Sequence, residues 1–373
     1  MTHFLLSLIR LGLNTTQVED EARTLLPLSM RQWKDVMALA DRQGVTAIAF
    51  DGVQKLYDSY QKEIMAAVTL PKEWGQWVLD YISIVTQCEQ LNKQQKKVIK
   101  ELSELWATEN IPMMVFKGQA NSIFYPQGNH RSSGDIDCWL FGKAEKGDEV
   151  IKKYNAIVKF DWYRHSKISF RGEIIENHRV LGHTKGGKKR KLMDEEFQTM
   201  AKSSELMELE GCGKALRPSA QFNACFLTYH GLNHFISEGL RMKQVLDWAM
   251  FLEQEQEKVD WLAFNDFCSR YKMDRFADVM NYIVVKYLGV GILGNIRISA
   301  EGLDTKEMAD KILKSTLYDN AYLFNSGKSN WTKRWLLIKN MFIRDHWKYS
   351  DIAQRNVWNQ LWQDSTGFLF EKG

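Results

Sequence analysis

His130-Arg131-Ser132-Ser133-Gly134-Asp135-Ile136-Asp137-Cys138-Trp139, preceded by Val115-Phe116-Lys117-Gly118-Gln119-Ala120 and Tyr125-Pro126, is the stretch on which the fold turns. Met113 to Phe116 is a short apolar run closed by Lys117-Gly118, and Ile136, Trp139 and Leu140 lie in a second apolar segment; both predict strands. In a strand, alternate residues share a face, so Asp135 and Asp137 project together while Ile136 points away. Two carboxylates about 7 Å apart at Cα repel each other unless a cation sits between them, and an all-oxygen pair suits Mg²⁺. Gly118 ends a strand and precedes a short helix, Gln119 to Tyr125, so backbone N–H groups can face a bound anion there. Arg131 and Ser133 add a fork-shaped cation and a hydroxyl just before the carboxylates.

Downstream, Ile157 to Tyr163, Lys167 to Phe170, Glu173 to His178 and Leu206 to Leu209 are short runs rich in strand formers, with Arg171-Gly172 as a hairpin turn. On both sides the period changes to that of helices. Pro71 opens a helical run carrying Val78, Tyr81, Val85, Cys88, Leu91, Val98, Leu102 and Leu105, with a polar interruption from Asn92 to Lys97. Met30 to Ala40 and Val45 to Tyr57 read as amphipathic helices before it. Beyond Pro218, helical spacing recurs at Ala220 to Ile236, Met242 to Glu253, Trp261 to Arg270, Phe276 to Leu288, Lys306 to Lys314 and Trp331 to Phe342. The expected class is therefore α+β: a helical region over 1–108, a small mixed-sheet domain over 109–217 and a second helical region over 218–373.

Composition bounds the rest. The 373 residues are 45% hydrophobic and 12% aromatic, with thirteen Trp, which excludes a disordered or fibrous chain. A net charge of +4 is small for this length and argues against a nucleic-acid partner, which needs a broad basic face. Five scattered Cys without a CxxC pair suggest neither a disulfide framework nor a thiolate zinc site, so a reducing, cytoplasmic setting is expected. The opening apolar stretch is interrupted by Arg10 and reads as a packed helix, and no window is long enough for a transmembrane segment.

The strand-Gly-helix element followed by Gly134-Asp135-Ile136-Asp137 resembles the nucleotidyltransferase superfamily related to polymerase beta. The version with Lys117-Gly118, Tyr125-Pro126 and Arg131 looks like a bacterial, largely uncharacterised nucleotidyltransferase family, over roughly residues 45 to 290. Two positions depart from the superfamily pattern: Gln119 stands where Ser is usual, and the third carboxylate is a Glu where Asp is more frequent. Between Glu173 and Glu176, Glu176 is chosen, because Ile174-Ile175 begin the strand and leave Glu173 at its edge. Its same-face neighbour is His178, and the Glu-x-His ending is similar to that of the family.

The resemblance implies an Mg²⁺-dependent transfer of an NMP group from an NTP to a hydroxyl of a small-molecule, glycan, peptide or protein acceptor. Asp135, Asp137 and Glu176 would hold up to two Mg²⁺, Glu176 would also polarise the acceptor hydroxyl, and Lys117, Gly118, Gln119, Arg131 and Ser133 would face the phosphates. His178, His230, His234, Arg241 and Asp247 would line the cleft, the last two as a polar pair. His230 and His234 share a helix face at a metal-binding spacing, yet no Glu follows His230, so a cleft-lining or locally bonded role is expected. Two other classes stay open: an inactive NTP-binding or scaffold member of the fold, and an RNA-directed nucleotidyltransferase using the basic run Lys185 to Lys191. That run reads as a solvated loop or as a clasp for a polyanionic acceptor. The C-terminal Trp331, Trp335, Trp347, Trp358 and Trp362, interleaved with basic residues, suit packing on the N-terminal helices or peripheral membrane contact.

Overall fold

The computed structural model describes residues 1–68, 71–161, 163–184, 187–203, 207–237, 239–318 and 339–358. In chain order the elements are α1 (Thr2–Leu13), α2 (Val18–Leu25), α3 (Met30–Gln43), α4 (Thr46–Ala67), α5 (Pro71–Ala107), β1 (Met114–Val115), α6 (Gly118–Ser122), β2 (Ile136–Trp139), α7 (Ala144–Lys152), β3 (Ile157–Asp161), β4 (His165–Phe170), β5 (Glu173–His178), α8 (Lys188–Ser203), β6 (Met207–Glu208), β7 (Leu216–Arg217), α9 (Ala220–Ser237), α10 (Met242–Glu255), α11 (Trp261–Tyr271), α12 (Asp274–Leu288) and α13 (Thr305–Tyr318). All strands among the described residues join one mixed sheet in the order β3-β4-β5-β2-β1-β7-β6. β2 runs parallel to β5 and β1 parallel to β7, while the remaining neighbours are antiparallel.

The two faces of the sheet bury different partners, and strand alternation decides which. Val115, Ile136, Cys138 and Ile175 enter a core with Val98, Ile99, Leu102 and Trp106 of α5 and with Val150 and Ile151 of α7. Met114, Phe116 and Trp139 enter a larger core that α1–α4 and α9–α13 build together. The N-terminal and C-terminal helices thus share one interior instead of capping the sheet separately. Gln43 shows the join: its amide donates to Thr316 O at 2.9 Å and its carbonyl accepts from Met242 N at 3.0 Å.

α1 packs directly on α4, burying Leu5, Leu8 and Ile9 completely. Each such side chain contributes about 1.5–3 kcal/mol relative to exposure. The two helices approach so closely that a Cβ at Gly52 would lie 2.1 Å from Leu8 O, and one at Gly12 2.0 Å from Ile48 O. α5 is 37 residues, about 55 Å of helix, and serves both cores: Trp74 and Trp77 near its start, Leu102 and Trp106 near its end.

The structure adds a helix that residue order did not indicate and replaces one expected loop. Residues 144–152 form α7, which covers one face of the sheet with Val150 and Ile151. Lys188 to Lys191 are the first turn of a helix, not loop, because Met193, Phe197 and Ala201 recur every four residues and bury one face of α8. Lys185 lies outside the described residues, as do Trp331, Trp335 and Trp362 and hence most of the Trp331–Phe342 helix. Trp347 packs edge-on against Phe235 of α9 at 5.5 Å, whereas Trp358 is exposed beside Phe342. No helix among the described residues is long and apolar enough to cross a membrane.

Candidate active site

The parallel pairing of β2 with β5 sets Asp137 directly beside Glu176, and the antiparallel pairing of β5 with β4 sets Lys167 beside Glu176 and His165 beside His178. Paired residues on neighbouring strands point to the same face, so these five side chains gather on the side of the sheet that meets α9. Asp135, immediately before β2, stands exposed at the mouth, and Asp137 is deeper with 12% of its side chain exposed. Glu173, on the other face of β5, accepts a hydrogen bond from Gln95 Nε2 at 3.2 Å and lies outside this cluster.

Charge in the cluster is unevenly balanced. Asp137 Oδ1 is 2.5 Å from Lys117 Nζ and 3.0 Å from His178 Nε2. Burial alone would raise its carboxyl, but the Lys117 ammonium and the His178 hydrogen bond prevail and hold it well below the usual carboxylate range. At Glu176 burial also opposes ionisation, and His178 and His165 outweigh it against the repulsion of Asp137. Asp135 goes the other way: burial and the negative charges of Glu176 and Asp137 raise it, and Lys167 and Lys117 only partly compensate. Three carboxylates so arranged, one of them destabilised by the other two, fit a divalent cation, which would relieve that repulsion.

The backbone that delivers Lys117 is strained. Its φ of 60° and ψ of −154° fall in a region that is essentially confined to Gly, which costs about 1–3 kcal/mol for a side-chain-bearing residue. Gly118 follows at φ 33° and opens α6 beside the Asp135 backbone. On the facing helix, His230 stacks on Phe226 at 6.1 Å and meets His234 edge-on at 4.4 Å. Burial, then the charges of Lys117, His234, Arg164 and His178, push the His230 imidazole well below its ordinary value, so it is neutral at pH 7.

Several residues expected at the phosphates face elsewhere. Arg131 is buried and gives its guanidinium to Asp247, Nε to Oδ1 and Nη2 to Oδ2, both at 2.7 Å. Tyr125 OH donates to the same Asp247 at 2.7 Å. The polar pair therefore joins Asp247 to Arg131, while Arg241 is exposed at the start of α10. Gln119 turns its amide to Asn92 Oδ1 at 2.7 Å and Gln95 Oε1 at 3.1 Å, and Ser133 Oγ donates to Gln95 as well. Asn92 in turn holds the carbonyls of Asn129 and Arg131 at 2.9 and 3.1 Å. The polar interruption in α5 is thus the bracket that fixes the loop leading into Asp135.

Lys167, His165 and Lys243 were not singled out by the sequence. For the first two, strand register with Glu176 is the signal, and it exists only once the strands are paired. Lys243, one turn before Asp247, lies along Gly44, whose Cβ would stand 3.3 Å from Lys243 Cδ. Burial and the Arg131 charge lower its pKa, with Asp247 and Asp135 opposing.

A family model described as an uncharacterised nucleotidyltransferase matches residues 29–289. The chain belongs to that family. The match begins at Ser29, the residue that caps α3, and ends at Gly289, which terminates α12. The nucleotidyltransferase family unit therefore includes helices from both sides of the sheet as well as the sheet itself. No curated protein and no solved structure matches the chain.

Proposed function

We propose that this nucleotidyltransferase moves an NMP group from an NTP to a hydroxyl acceptor in the cleft between the sheet and α9, by the metal-assisted chemistry of the polymerase-beta-related superfamily. The observation that carries the reading is the placement of Asp135, Asp137 and Glu176 on one sheet face, with Asp137 and Glu176 in register on adjacent parallel strands. Mg²⁺ held by these carboxylates would neutralise phosphate charge and activate the attacking oxygen. Lys117 and Lys167 reach the same face, and Lys243 stands within the field of Asp135; these three ammonium groups, not Arg131, are the side chains to offset the triphosphate. Arg131, Asp247, Gln119, Ser133, Asn92 and Gln95 act as positioning residues that hold the Asp135 loop. Neutral His230 offers a wall that neither repels a polyphosphate nor binds it strongly.

A second reading, an NTP-binding member without catalysis, is favoured by one observation. The Lys117 ammonium already sits 2.5 Å from Asp137 Oδ1 and so competes with a cation for that oxygen. Calorimetric titration with each NTP, with and without Mg²⁺, on the native protein and on Asp135→Asn/Asp137→Asn separates the two. Nucleotidyl transfer requires Mg²⁺-dependent binding that the double variant loses; metal-independent binding that survives the double substitution would leave only the non-catalytic reading.

A further inference from the structure

The register of β4 and β5 sets two imidazoles, His165 and His178, beside a carboxylate of the proposed site. His165, Glu176 and His178 each present one ligand atom within 4.8 Å of the others. His165 Nε2 lies 3.5 Å from Glu176 Oε1, and His178 Nε2 lies 3.7 Å from Glu176 Oε2. A tetrahedral cation with ligand bonds of roughly 2.0–2.2 Å keeps its ligands about 3.3–3.6 Å apart, so each imidazole stands close to ligand spacing from one of the two Glu176 oxygens.

The surroundings of His178 sharpen the case. Its Nδ1 is 3.4 Å from the carbonyl oxygen of Val180, and its Nε2 faces Asp137 Oδ1 and Glu176 Oε2. Each of these neighbours is an acceptor. Both ring nitrogens thus face oxygens, and Nε2 stands where a cation held between it and the two carboxylates would lie. The bond to Val180 is the kind of outer contact that fixes the Nδ1–H tautomer and turns Nε2 toward a metal. Asp137, whose Oδ1 faces both His178 Nε2 and the Lys117 ammonium, would be the fourth donor when a cation displaces Lys117 from it.

We infer that His165, Glu176 and His178, with Asp137, form a binding site for a divalent cation of the Zn²⁺ and Co²⁺ class, beside the carboxylate site and sharing Asp137 and Glu176 with it. Two imidazoles among the donors favour such borderline cations over Mg²⁺, which prefers oxygen. Asp135, on the far side of Asp137, belongs to the carboxylate set only. The site goes beyond the nucleotidyl-transfer reading and stands without it.

The test uses the full-length protein, stripped with a chelator and titrated with Co²⁺ alone. The native protein and Asp135→Asn are expected to give one equivalent with a visible ligand-field band of low coordination number. His165→Ala is expected to lose the band and to weaken Co²⁺ binding by more than the roughly 10–100-fold that loss of an outer partner costs. His178→Ala should do the same; should that buried substitution prevent folding, His165→Ala and His165→Gln, nearer the rim and checked by circular dichroism, carry the test. A band unchanged in His165→Ala, or native protein that binds no Co²⁺ or Zn²⁺, would overturn the inference. Either result leaves Mg²⁺-dependent NTP binding at Asp135 and Asp137 standing, whereas loss of NTP binding with the Co²⁺ band intact would count against the proposed function alone.

Discussion

Arg131 and Asp247, 116 residues apart in the chain, face each other through two parallel 2.7 Å hydrogen bonds in a buried setting. The pair ties the loop before Asp135 to α10, and Tyr125 and Asn121 donate further hydrogen bonds to the same carboxylate. Removing one partner leaves a charge buried without its counterion, so Asp247→Ala should cost about 3–5 kcal/mol in urea unfolding. Arg131→Met/Asp247→Leu should recover most of that loss. A single variant that unfolds like the native protein would show the pair to be dispensable.

Lys117 couples two opposing effects, a strained backbone and an ion pair with Asp137. Lys117→Gly relieves the strain and loses the pair, while Lys117→Met keeps the strain and loses the pair. The methionine variant should therefore be the less stable of the two, by about 1–3 kcal/mol. Equal stabilities in denaturant melts would remove backbone strain from the account of this site.

His130 lies between two carboxylates, with Nδ1 2.8 Å from Asp51 Oδ2 and Nε2 3.1 Å from Glu89 Oε1. The hydrogen bond to Asp51 raises its pKa, and burial opposes this only in part. A raised folded value means the proton is held more tightly in the native state. The stabilisation is complete below the unfolded value of about 6.5 and is lost as pH rises through the folded value. Thermal melts should show the native protein losing stability over that interval relative to His130→Asn, and parallel pH profiles would refute the assignment.

Gly52 and Gly12 mark the crossing of α1 and α4. Gly52→Ala places a Cβ against the Leu8 carbonyl at 2.1 Å, and backbone rather than a flexible side chain must yield. Overpacking of this kind costs about 1–3 kcal/mol, seen as a lower melting temperature. Gly75→Ala, with nothing within 4 Å of the added carbon, is the matched control in a helix interior and should be neutral or stabilising.

Much of this architecture is local and could be read from residue order. The alternation through Asp135-Ile136-Asp137 put both carboxylates on one face, and Pro71 together with the three-and-four spacing after it marked α5. The choice of Glu176 over Glu173 followed from strand position, and the structure sets Glu176 beside Asp137. The basic turn of α8 reads as loop from residue order because the charge of Lys188 to Lys191 masks the four-residue apolar repeat that follows it.

What residue order by itself determined was which side chains share a face, since that depends only on the periods of strand and helix. Tertiary structure alone decided which faces meet. It turned Arg131 from the phosphates to Asp247, made Asn92 and Gln95 the bracket of the site loop, and brought His165 and Lys167 to Glu176. Those outcomes depend on strand register and helix docking, where a shift of one residue reverses every side chain, and pairing between distant segments is set by the whole core instead of by neighbours in the chain.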